Sequence, residues 1–141
     1  MRKKAFTIID LIFVIVILGI LAAVAVPKLG KSKETADIAK GRSDVASIRS
    51  AILSERQSQL VKGKRDFIEK LTPNTASTIL FTGDGTRKLL LYGIKKGAWK
   101  HTATQTYTYT VGTTVTQFTY DDDTGMFECT TGDGFCDEMV D

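Results

Sequence analysis

Few side chains in this sequence are equipped for chemistry, and their spacing limits what they can do. There is one histidine, His101, beside Trp99, with no nucleophile or acid partner identifiable along the chain. No motif of the nucleotide-binding, metalloprotease or serine-hydrolase kind is present. Gly83-Asp84-Gly85 resembles a fragment of a phosphate loop but lacks the strand–loop–helix pattern around it. Zinc takes about four ligands, which Cys129, Cys136 and His101 do not complete. Asp121, Asp122, Asp123, Asp133, Asp137 and Glu138 supply carboxylates for calcium, a cation that takes roughly six to eight oxygens. DDDTG does not fit an EF-hand, because its glycine comes one residue early and no glutamate closes the loop. Turn chemistry, or the acidic side of an interface, explains these residues equally well. The residue that stands apart is Asp10, a lone carboxylate in an apolar run, where an acid is expensive and by default marks a function.

The element that positions Asp10 is the stretch FTIIDLIFVIVILGILAAVAV, residues 6–26, almost wholly apolar apart from Thr7, Asp10 and Gly19. As a helix it is roughly 30 Å long, the thickness of a bilayer's hydrocarbon core. Arg2, Lys3 and Lys4 precede it, so the N-terminus stays in the cytoplasm and the chain beyond Pro27 lies outside. Three readings compete. A cleaved secretory signal would use Ala23-Val24-Ala25 as its small-residue site, but its apolar core, residues 11–26, is long for that role and needs no acid. A plain single-span anchor accounts for the length and leaves Asp10 unexplained.

The third reading is a resemblance. KAFTIIDLIFVIVILGILAAVAVPKL resembles the N-terminal signature of the type IV pilin superfamily, which includes pilins, the pseudopilins of type II secretion and pilin-like subunits of DNA-uptake machines. The resemblance implies a short basic leader, residues 1–5, cut by a prepilin peptidase between Ala5 and Phe6, with N-methylation of Phe6. It assigns Asp10 and Pro27 as the family's assembly acid and its proline. The family usually carries glycine before the cut and glutamate as the acid; this chain has Ala5 and Asp10.

Elementary electrostatics agrees with that assignment. Cutting after Ala5 creates a charged amine on Phe6, and in parallel, axially staggered helices this amine can lie beside Asp10 of a neighbouring copy. A buried ion pair adds little net stability, whereas an unpaired member is costly, so the pair sets the register of assembly.

The charge pattern has the same flavour. The net charge of +3 comes from Arg2, Lys3 and Lys4; without them 16 basic residues balance 16 acidic ones, so the precursor's basic pI is no sign of nucleic-acid binding. Residues 28–100 hold 16 basic and 7 acidic side chains, while residues 101–141 hold 8 acids and no Lys or Arg. This is either an ordinary solvated surface or two halves that pack head to tail, a heterologous contact that yields a filament when it does not close. Lys62, Lys64, Arg65, Arg87, Lys88, Lys95, Lys96 and Lys100, near Tyr92 and Trp99, offer an alternative as a DNA-tracking patch.

The expected fold is α+β: a long N-terminal helix packed on a small C-terminal antiparallel sheet. Residues 6–27 form the transmembrane and assembly helix, and residues 28–60 its amphipathic continuation, with Ile38, Val45, Ile48 and Ile52 on one face and Gly41 filling the gap. Pro27 is expected to kink or locally melt this helix without ending it. Residues 61–105 are a connecting region in which Ile79-Leu80-Phe81 and Leu89-Leu90-Leu91-Tyr92 read as strands or buried loop. Residues 106–141 carry a three-stranded meander, over residues 106–111, 115–120 and 126–130, and a C-terminal loop. Cys129 and Cys136 lie on the side where disulfides persist, and a bridge between them is expected. Many members of the resembled family have a comparable loop. Some of its major pseudopilins also bind calcium in the head, which would here fall to Asp121, Asp122, Asp123, Asp133 and Asp137; otherwise no cofactor is expected.

Together these readings imply a non-enzymatic subunit of a pilin-like filament, foremost a type II secretion pseudopilin. It would be single-pass in the bacterial inner membrane, with its C-terminal domain in the periplasm and prepilin peptidase and an inner-membrane assembly platform as partners. The alternatives are a type IV or competence pilus subunit acting outside the cell in adhesion or DNA uptake, and a membrane-anchored or secreted binding domain that does not polymerise.

Overall fold

Thr7 is the N-cap from which a single helix starts. In the computed structural model, which describes residues 7–140 and all their side chains but those of residues 27–29, this helix, α1, runs over Ile8–Val61. Its path is helical through Pro27, because a proline removes only one interior hydrogen bond and the flanking turns persist. Residues up to Ala36 and those from Asp37 onward are two separate units. In the first, every residue from 8 to 26 is exposed, so the apolar side chains there bury nothing of their own chain. Among the described residues this is the one helix long and apolar enough to cross a membrane.

In the second unit the amphipathic stripe does what its spacing requires. Val45, Ile48 and Ile52 are buried, and Ile38 packs at the rim of the same core. They meet a four-stranded antiparallel sheet in the order β3 (Trp99–Ala103), β4 (Thr106–Val111), β5 (Thr114–Asp121), β6 (Met126–Cys129). Alternation decides the faces: Tyr107, Tyr109 and Val111 of β4 point inward, with Phe118 and Tyr120 of β5 and Phe127 of β6. A two-residue turn joins β4 to β5, with Gly112 at φ 59°, a conformation in which a side chain would be strained. Charged residues beside the helical stripe clamp the sheet: Asp44 accepts the Trp99 indole N–H at 3.0 Å, Arg49 donates to the Phe127 carbonyl at 3.0 Å, and Arg42 donates to the Glu138 carbonyl at 2.7 Å.

The sheet has one strand more than the meander expected from alternation. β3 pairs Trp99 with Tyr109 and His101 with Tyr107, so its partner is the strand that follows it. The run Leu89-Leu90-Leu91-Tyr92 forms no strand. Leu89 and Leu90 instead donate their N–H groups to the carbonyls of Thr82 and Phe81, while the pairing partners are β1 (Ile79–Leu80) and β2 (Ile94–Lys95). The chain closes with a five-residue helix, α2 (Cys136–Val140), whose Met139 is buried. It packs where α1 has Gly41: a Cβ there would stand 2.5 Å from the Met139 methyl and 2.7 Å from the Tyr109 ring. The small residue is what allows helix and ring to approach.

Candidate assembly site

Asp10 sits in the first turn of α1 and is not a free carboxylate. Its Oδ2 accepts from the Thr7 hydroxyl at 2.7 Å and from the Thr7 backbone N–H at 3.1 Å. The Asp10 N–H in turn points at the Thr7 hydroxyl oxygen at 3.3 Å. This is a capping box with aspartate where glutamate is usual, and it satisfies donors that a helix start leaves orphaned. Around it Ile8, Ile9, Leu11, Ile12 and Phe13 are at least half exposed, so the box lies in an apolar surface open to lipid or to another helix. Ala5 and Phe6, the expected processing pair, lie outside the described residues, and Pro27 is described only as part of the helix backbone.

In the second unit Cys129 at the end of β6 is disulfide-bonded to Cys136 at the start of α2. Of the five aspartates expected to hold calcium, Asp121, Asp122 and Asp133 each accept from a different protein donor. Asp121 closes its own turn by accepting from the Thr124 hydroxyl at 2.9 Å and the Asp123 N–H at 2.9 Å. These bonds hold its carboxyl below the usual range. Asp122 accepts from the Gln105 amide at 2.6 Å. Asp133 reaches the Gln117 N–H at 3.1 Å, four residues up β5 from Asp121 and therefore about 13 Å away at strand rise. Among the described residues no group of three or more His, Cys, Asp or Glu converges to hold a metal.

The basic patch loses its two central members. Trp99 is buried with its indole bonded to Asp44, so no base can stack on it. Arg87 points into the fold as the partner of Glu55, which is buried in line with the helical stripe. It donates to both Glu55 carboxylate oxygens and to the carbonyls of Phe67 and Asp66. Hydrogen bonding to Glu55 raises the Arg87 pKa further above its already high value. Glu55 and Gln59 continue the Ile48–Ile52 spacing by two more turns; that continuation was the available sign of a buried carboxylate, and it needed a cation from elsewhere. His101 packs, stacked on Tyr107 with ring centroids 4.6 Å apart.

The chain resembles known proteins in its N-terminal region. It is 47% identical over 51 residues to the type II secretion system core protein G of Pectobacterium carotovorum, a segment that is 36% of this chain and 33% of that protein. It is 47% identical over 51 residues to the type IV narrow pilus major component PilA5 of Thermus thermophilus, covering 44% of it. Over its N-terminal region the chain is similar to proteins of the type IV pilin-like superfamily. A fimbrial protein of Pseudomonas aeruginosa is 29% identical over 110 residues, 72% of this chain and 68% of that protein. The chain spans about a third of the length of the secretion relatives it matches. No family model and no solved structure matches it. The α+β architecture, a long N-terminal helix on a C-terminal antiparallel sheet, is that of pilins.

Proposed function

We propose that this pilin-like chain is a structural, non-enzymatic subunit of a helical filament built at the bacterial inner membrane, foremost as a pseudopilin of a type II secretion system. The observation that carries the proposal is Asp10, an acid in the opening turn of a helix whose first stretch is apolar and long enough to cross a bilayer, in the N-terminal region where the chain is similar to secretion and pilus proteins. Prepilin peptidase cuts between Ala5 and Phe6, Phe6 is N-methylated, and its amine meets Asp10 of an adjacent subunit. An assembly platform then draws subunits from the membrane, leaving the second unit in the periplasm. Peptide mapping of the chain from its host tests this. A methylated Phe6 at the mature N-terminus is expected; an intact Met1 would leave an anchor, and a start at Val26 a secreted domain.

A second reading, a type IV pilus subunit, is favoured by the narrow-pilus match and by the longer match to the Pseudomonas fimbrial protein. Deleting the chain separates the two: loss of an exported enzyme supports secretion, and loss of surface fibres supports a pilus.

A further inference from the structure

On the second unit an exposed apolar pair and a half-exposed methionine are fringed by opposite charge and lie toward opposite edges of the sheet. The first is Leu91 and Tyr92, 78% and 85% exposed. They are held firmly from behind. Leu90, their neighbour, packs on the core and donates its N–H to the Phe81 carbonyl at 3.0 Å. Phe81 is itself buried and held at φ 60°, a conformation a bulky residue keeps only when its surroundings enforce it. Its ring stacks on Tyr107 at 4.7 Å and meets Trp99 edge-on, and its N–H donates to the Thr72 hydroxyl oxygen at 2.9 Å. Leu91 and Tyr92 therefore stand on a braced segment. Exposed Lys95 and Lys96 follow just after it.

The second patch centres on Met126, 52% exposed at the start of β6. Glu128 shares its outward face, Asp121 is its cross-strand partner, and Asp123 is in the adjoining turn, all exposed. β6 is one edge of the four-stranded sheet, and β3 is the other. The β1–β2 pair, from which the Leu91–Tyr92 segment emerges, lies beside β3. Lysines fringe the apolar pair, and carboxylates fringe the methionine. They are complementary between copies, and such a heterologous contact extends without closing.

We propose that Leu91 and Tyr92 of one copy seat against Met126 of the next, with Lys95 and Lys96 facing Asp123 and Glu128. The partner is a second copy of this chain, and the inference rests on the filament reading above. Aromatic and aliphatic anchors supply the contact energy, and the charged rim supplies direction and salt sensitivity.

Cross-linking in host membranes tests it, using full-length chains and a short bis-maleimide, which spares the closed Cys129–Cys136 bridge. The double variant Tyr92→Cys, Met126→Cys should give a ladder of multimers. Tyr92→Cys and Met126→Cys chains should give a dimer when co-expressed and none when expressed alone. Lys95→Glu with Lys96→Glu should lower the cross-linked fraction about tenfold, since like charges then face each other. Asp123→Lys with Glu128→Lys on the partner copy should restore it. Dimers from Tyr92→Cys alone, adducts to a different protein, or filaments that form without cross-links would each overturn the contact while leaving the filament reading intact. A chain that forms no filament in any variant overturns both.

Discussion

The Asp10 carboxylate and the Thr7 hydroxyl, 2.7 Å apart, lock the first turn of α1, with the Thr7 backbone N–H as a second donor to the same oxygen. This bond gives the acid local partners; in the filament proposed above it would hold the carboxylate where an incoming amine can find it. Thr7→Val removes the hydroxyl and costs about 1 kcal/mol of cap stability. The variant should insert in the membrane at normal levels yet leave a smaller share of the chain in sheared filaments, while Thr7→Ser assembles normally. Equal filament yield for Thr7→Val and the parent would remove Thr7 from the assembly site.

Glu55 and Arg87 are the buried ion pair of the second unit, with Gln59 donating to the same carboxylate at 2.8 Å. Arg87→Ala leaves that carboxylate with the glutamine alone and should cost about 3 kcal/mol, read as a lower denaturant midpoint for the detergent-solubilised full chain. Replacing both by leucine should recover at least half of the loss, since the penalty lies in the unpaired charge.

Three core tyrosines set an alkaline limit. Burial pushes Tyr107 and Tyr109 up to about 12, and Tyr120 higher still, with nearby carboxylates adding to the shift at Tyr109 and Tyr120. The ordinary phenol value is about 10, so the folded state holds protons that the unfolded chain gives up. The stability this provides is complete below about pH 10 and is lost as pH rises towards about 12. In a Tyr92→Phe background, which removes the exposed tyrosine, tyrosinate absorbance should therefore appear together with unfolding, and Tyr109→Phe should make the fall shallower. Tyrosines that ionise near pH 10 with the sheet intact would contradict the burial account.

The disulfide ties β6 to α2, and α2 brings Met139 against Gly41. Cys129→Ser with Cys136→Ser should cost about 2–3 kcal/mol by freeing the unfolded loop. Gly41→Val, which drives a branched side chain at the Tyr109 ring, should cost about 1–3 kcal/mol. Either loss is measurable by thermal melting in detergent.

Calcium should raise the melting temperature no more than magnesium does, because Asp121, Asp122 and Asp133 each spend their carboxylates on separate protein donors. A calcium-specific rise would show that these loops rearrange around an ion.

What could be read along the chain was what periodicity encodes. Val45, Ile48 and Ile52 recur at helical steps, and Tyr107, Tyr109 and Val111 alternate as a half-buried strand, and both runs take those forms. β3 escaped because only Trp99 and His101 alternate inward, and what makes them a strand is pairing with Tyr109 and Tyr107 of β4. The Leu89–Tyr92 run, open in the sequence between strand and buried loop, is a loop because the Leu89 and Leu90 donors turn back to Thr82 and Phe81. Arg87 meets Glu55 across 32 residues of chain, a distance over which local pattern carries no information. At the start of the chain Asp10 was legible as an anomaly, and its bond to Thr7 follows from the N-cap spacing once the helix start is known.

The most direct measurement is filament yield from Asp10→Ala, counted by electron microscopy beside the amount of chain in the membrane. Normal insertion with few or no filaments is expected, because the neighbouring amine then has no carboxylate to meet. Filaments in normal number from Asp10→Ala would contradict this pairing.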